Sequence, residues 1–217
     1  LKDCVAKVKV AGILMEVVQG EGGVLPLTAE YLAAANKLAH EQDIPLMMDE
    51  VQIGNGRSGK LYGYMNFDVQ PDIVSTAKGL GGGLPIGACL LGEKVQNVLG
   101  FGDHGSTYGG NPVCCAGGVS IIGRLTDDFL AEVQKKSAYV FQTLTGAPGI
   151  ESVTGLGLMI GVKPVAPAAE VVKKCMERGV LCLTAKNKVR LLPALNIPME
   201  DLKFAVETIR TVAAELA

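Results

Sequence analysis

Two residues stand where they could do chemistry together. Asp49 closes the apolar run "IPLMMDEV" (44–51), and Lys78 closes "PDIVSTAK" (71–78). Glycines follow the lysine at 79, 81, 82, 83 and 87, so side chains that would shield the amine are missing. An amine in an apolar, glycine-lined site has its charged form disfavoured and becomes a nucleophile for carbonyls. A carboxylate opposite it can keep a ring nitrogen protonated. The plainer alternative is an ion pair beside a flexible loop.

The elements that must position these residues follow from periodicity. "VKVAGILMEV" (8–17) predicts a buried strand, with further strands at 44–51, 71–77 and 85–92. "TAEYLAAANKLAHEQD" (28–43) predicts a helix with Thr28 as N-cap. Apolar strands alternating with helices predict a mostly parallel sheet covered on both faces, with ligands beyond the carboxyl ends of strands. Asp49, Lys78 and Glu21 all lie at or after such ends. One long helix is expected over 113–144, a hairpin over 150–164, a helix over 168–179 ended by Gly179, paired strands in "VLCLTA" and "KVRLLPAL", and a terminal helix over 199–217. The fold class expected is α/β, with a larger domain over 1–125 and a small α+β domain over 126–217.

"GNGRSG" (54–59) matches G-x-G-x-x-G by letter. A dinucleotide site needs a helix opening inside that motif, and "KLYGYMNFD" offers no helical period. The segment reads as a turn-rich loop in which Arg57 bonds locally, and a nicotinamide-dependent dehydrogenase is set aside.

Composition excludes several classes. The net charge of −2 gives no basic excess for nucleic acid or anionic membranes, and apolar runs stop short of the ~20 residues of a span. Cysteines at 4, 89, 114, 115, 175 and 182 fit no zinc spacing with His40 and His104, and read as free thiols of a reducing, cytoplasmic compartment. No secretory leader is recognisable, and a chain beginning at Leu1 reads as a fragment, a trimmed product or an incomplete record.

A Schiff-base lysine with an acidic partner is what pyridoxal 5′-phosphate requires. "DEVQIGNGRSGKLYGYMNFDVQPDIVSTAKGLGGGLPIGA" resembles the cofactor segment of the class III (subgroup II) aminotransferases, most closely their acetylornithine branch. "ILMEVVQGEGGV", "GSTYGGNPVCCA" and "VRLLPAL" follow in the family's order. The resemblance implies the C-terminal part of a fold type I large domain plus the small domain. It also implies a homodimer that transfers an amino group from an N-acetylated ornithine-type donor to 2-oxoglutarate, in arginine biosynthesis. Ornithine, succinylornithine and 4-aminobutyrate are alternative donors.

By that resemblance Lys78 carries the cofactor and Asp49 bonds its ring nitrogen. Val51 packs on the ring and Gln52 contacts its phenolic oxygen. Thr107, with Ser106 adjacent, binds the phosphate of the neighbouring subunit. Arg190 clamps the substrate carboxylate as a bidentate fork, and Glu21 lies near the substrate and switches between half-reactions. Without the pattern, Thr107 is a turn hydroxyl, Arg190 a surface cation, Glu21 a solvated acid and Val51 a core residue. Ile53 stands where the family has threonine, and "MEVV" replaces its "EPIQ" type. The family's phosphate loop and its stacking aromatic residue have no counterpart here. The chain alone is therefore expected to be inactive, to hold the cofactor weakly and to self-associate, or to be a non-catalytic dimer-forming domain.

Overall fold

The computed structural model describes residues 1–217. In chain order the elements are helix α1 (Lys2–Lys7), strands β1 (Ile13–Met15), β2 (Val18–Gln19) and β3 (Leu25–Pro26), helix α2 (Ala29–Glu41), and strands β4 (Leu46–Asp49), β5 (Ile73–Thr76) and β6 (Ala88–Leu91). Helices α3 (Pro112–Ile122) and α4 (Asp127–Leu144) follow, then β7 (Ile150–Leu156), β8 (Met159–Pro164), α5 (Ala168–Glu177), β9 (Leu183–Ala185), β10 (Lys188–Leu191) and α6 (Met199–Glu215).

Two compact units result. The first holds Leu1–Val17, Leu27–Asn55 and Lys60–Thr126; the second holds Val18–Pro26, Gly56–Gly59 and Asp127–Ala217. Two short pieces that the sequence analysis left in the larger domain therefore cluster with the second unit.

The first unit is built on the sheet β1-β4-β5-β6. β1, β4 and β5 are parallel, with Ile13 opposite Leu46 and Met48 opposite Val74. β6 runs antiparallel to β5, Ile73 opposite Leu91. The short connection after β5 leaves no room for the crossover that a parallel partner needs. Thr28 caps α2 as expected, its hydroxyl accepting from Tyr31 N at 3.1 Å, and Leu32, Ala35 and Ala39 form the buried stripe. Strand pairing begins only at Ile13 because β4 itself begins after Pro45, whose carbonyl accepts from Ile13 N. Residues 8–12 are accordingly not strand. The helix expected over 113–144 is two helices. Gly123 ends the first, and Asp127 and Asp128 occupy the first turn of the second, where carboxylates favour a helix start. All four residues of β6 are exposed, as is Leu14 of β1.

The second unit has a four-stranded antiparallel sheet, β7-β8-β10-β9, and the β2-β3 hairpin. Helices α4, α5 and α6 supply Val133, Leu144, Val171, Val206 and Ile209, which bury against Ile160, Val162 and Val189 in one cluster. Gly179, at φ +83°, ends α5 in the left-handed conformation expected of its C′ position.

Candidate active site

β4 and β5 run parallel, and Asp49 lies opposite Ser75. Lys78 follows three residues later, so the carboxylate and the amine leave the sheet at the same end of neighbouring strands. Glu50 N donates to Ser75 O at 2.9 Å and extends the pairing by one residue past Asp49. Asp49 is half-buried, and its Oδ1 accepts from Val51 N at 2.9 Å. That bond turns the chain sharply after the strand and fixes the carboxylate. Val51 and Gln52 are half-buried in the turn that follows.

Lys78 differs from the expectation in one respect. It is exposed, as are Gly79 and residues 82–85, so the apolar enclosure of the amine is not present in this chain. The glycines expose the lysine by removing side chains and supply no wall of their own. Its backbone is strained: φ is +48°, in the left-handed region that lysine seldom enters.

Ser106 and Thr107 are both exposed. The turn hydroxyl is Ser106, whose Oγ accepts from Gly109 N at 2.9 Å. In the second unit, Glu21 and Arg190 stand 169 residues apart in sequence and meet: Arg190 Nη1 donates to Glu21 Oε1 at 2.5 Å. Arg190 is 12% exposed on its side chain and Glu21 78%, so the guanidinium is anchored in the fold while the acid projects from a loop. Arg190 Nε is buried without a hydrogen-bond partner. Arg57 does not bond locally: its Nη1 donates to Leu158 O at 3.1 Å and Pro193 O at 3.0 Å. No helix opens in the 54–59 segment, which is turn over 54–58 and a bend at Gly59.

The profile of the family described as "Aminotransferase class-III" matches residues 2–213. The chain belongs to the class-III aminotransferases. It is 47% identical over 217 residues to an acetylornithine aminotransferase of Haemophilus ducreyi, covering 99% of this chain and 55% of that protein. The N-acetylornithine aminotransferase of Stenotrophomonas maltophilia superposes with a TM-score of 0.87 at 31% identity, over 99% of this chain and 59% of that one. An amine transaminase from an uncultivated Pseudomonas species, solved in a PLP-bound form, gives 0.89 at 27% identity, over 100% and 55%. The chain spans about half the length of the curated relatives it matches.

In this class-III aminotransferase chain, two residues beside the site do not stand out in the sequence. Glu50 is fully buried, and its carboxylate accepts from Gly63 N at 2.6 Å and Tyr64 N at 2.9 Å, closing the loop that begins at Val51. Burial, with Asp49 beside it, pushes the Glu50 carboxyl up to about 7 against the pull of those two amides. Asn55 is buried and donates to Thr76 Oγ1 and to Ala77 O, both at 3.0 Å. Its place as the variable letter in a glycine-rich motif carried no signal. The signal for Glu50 was only its position after Asp49 in "DE".

Proposed function

We propose that this chain supplies the cofactor lysine and the ring-nitrogen partner of a pyridoxal-phosphate aminotransferase that moves an amino group from an N-acetylated ornithine-type donor to 2-oxoglutarate, in arginine biosynthesis. The observation that carries the reading is the class-III match over residues 2–213 together with Asp49 and Lys78 at adjoining strand ends. The names of the relatives support the donor.

The residues present fit the cofactor. Lys78 offers an unhindered amine to its aldehyde, and Asp49, already fixed by Val51 N, offers an anion to its ring nitrogen. Pyridoxal phosphate, when bound, supplies the electron sink for the carbanion formed at the substrate carbon. Asp49 would keep the ring nitrogen protonated, and Val51 and Gln52 would hold the ring and its phenolic oxygen. Lys78 takes the proton from the carbon bearing the amino group and later returns one, as general base and then acid. Ser106 and Thr107 lie on an exposed segment and would hold the phosphate of a second copy. Arg190 grips the substrate carboxylate through its planar fork, and Glu21 occupies the guanidinium when no carboxylate is there.

The partner is a second copy of the chain. Support comes from apolar side chains left in water on the first unit, among them Val98, Phe101, Tyr108, Val113 and Val119. Light scattering is expected to give a mass above the monomer. The compartment is the reducing cytoplasm, a reading supported by six free cysteines.

Borohydride trapping tests the central assignment. The protein is mixed with pyridoxal phosphate and reduced, which saturates the carbon–nitrogen double bond and fixes a pyridoxyl group on the reacting amine. Peptide mass analysis is expected to find the group on Lys78 ahead of every other lysine, and Lys78→Ala is expected to lose it. Even labelling over the lysines would overturn the reading.

A further inference from the structure

We propose that Asn55 is a positioning residue for Lys78, acting through the carbonyl of Ala77; the role rests on the reading of Lys78 as the cofactor lysine. Three observations converge. Asn55 Nδ2 donates to Ala77 O and to Thr76 Oγ1, the two residues that lead into Lys78. Ala77 O accepts a second bond, from Leu80 N at 3.1 Å, which closes the tight turn carrying Lys78. Lys78 itself is held at φ +48°.

A non-glycine residue in that region keeps its conformation only where its surroundings over-determine it. Lys78 is exposed, so packing does not hold it; the peptide before it does. Asn55 is suited to the task because it is itself at φ +54°, a conformation asparagine tolerates better than most residues. Its orientation is forced. Ala77 O can only accept, so the amide nitrogen must face it, and Asn55 Oδ1 is left buried with no donor. The amide is therefore retained for its donor side alone. Cβ of a residue at 79 would lie 3.6 Å from Asn55 Cβ, so the side chain sits directly under the turn.

The test uses the 217-residue protein with Asn55→Asp and Asn55→Gly. Asp is isosteric but cannot donate to Ala77 O, and Gly removes both bonds while easing the positive φ, so a folding defect in one does not decide the matter. Two quantities are read. One is amide hydrogen exchange at Leu80. The other is the share of pyridoxyl label on Lys78 after pyridoxal phosphate and borohydride, with Lys60 and Lys94 as internal references. Leu80 is expected to exchange at least about tenfold faster in both variants, and the Lys78 share to fall at least about fivefold, with exchange in α2 unchanged. Unchanged exchange at Leu80 would overturn the proposal. Faster exchange with an unchanged Lys78 share would also overturn it, because Asn55 would then be structural only. Faster exchange in the variants, with wild-type Lys78 labelled no more than Lys60, supports the hold of Asn55 on the turn and overturns instead the reading of Lys78 as the cofactor lysine.

Discussion

The two units solve the burial of apolar surface differently. The second closes on itself: its helices and sheet bury a continuous cluster in which Val133, Leu144, Ile160, Val171 and Val206 are all wholly inaccessible. The first buries Leu32, Leu46 and Met48 but leaves Leu14, Leu90 and Val119 more than two-fifths exposed, and the second leaves Leu181 and Phe204 in water outside its cluster. The groups proposed for the chemistry of the cofactor lie in the first unit. Polar bonds at the ends of β4 and β5, from Asp49, Glu50 and Asn55, add there to the packing of Met48, Ile53 and Leu80. The contrast teaches that the second unit gathers its buried residues into one cluster, while the first adds polar bonds at its strand ends to the packing of its own buried residues.

The comparison breaks most visibly if truncating the buried Ile209 of the second unit and the exposed Val119 of the first costs the same. Ile209→Ala in the second unit is expected to cost about 2–5 kcal/mol, because the transfer term and the cavity add. Val119→Ala, 74% exposed in the first unit, is expected to stay within about 0.5 kcal/mol. Urea unfolding at a dilution where light scattering finds monomer measures both, and similar losses would remove the distinction.

A smaller effect sharpens the part that polar bonds play. Glu50 has its folded pKa raised to about 7 from an ordinary 4.5, so the native state binds a proton that the unfolded chain has released. Its contribution is fully present below about pH 4.5 and is lost as pH rises through about 7, by about 3 kcal/mol at most. Glu50→Gln is expected to flatten that slope. It should also cost about 1–3 kcal/mol at acid pH, since one amide now faces a donor in place of an acceptor. Equal slopes in wild type and variant, followed by thermal unfolding from pH 5 to 8, would exclude Glu50 as the group.

The smallest effect is expected from surface charge in either unit. Lys94–Asp43 in the first and Arg178–Glu215 in the second are both largely solvated pairs. Double-mutant cycles should return only a small coupling for the Arg178 pair, falling with added salt. A large coupling that added salt does not weaken would mean that the second unit depends on its surface as well as its core.

Much of this was legible in the residues. Thr28 before an apolar stripe gave the start of α2, Gly179 the end of α5, and the turn between β7 and β8 separated two paired strands. Each is a local signal, set within one turn of helix or one hairpin. The motif around Asp49 and Lys78 was legible because strand ends and glycines are local too. What was not legible depended on distant partners. The direction of β6 follows from the length of its connection and from its pairing with β5. The break between α3 and α4 lies in a stretch whose apolar residues keep a helical period, so periodicity alone ran through it.

The sequence by itself determined the element types, the class-III motif, and the placing of a lysine and an aspartate at strand ends, because backbone propensity and side-chain period act over a few residues. Only the tertiary structure decided that Arg190 meets Glu21 across 169 residues, that Glu50 turns inward onto the amides of Gly63 and Tyr64, and that Asn55 reaches Ala77. These are bonds between groups that find each other only after the chain has closed, and a side chain's burial and charge state exist only once its partners are in place.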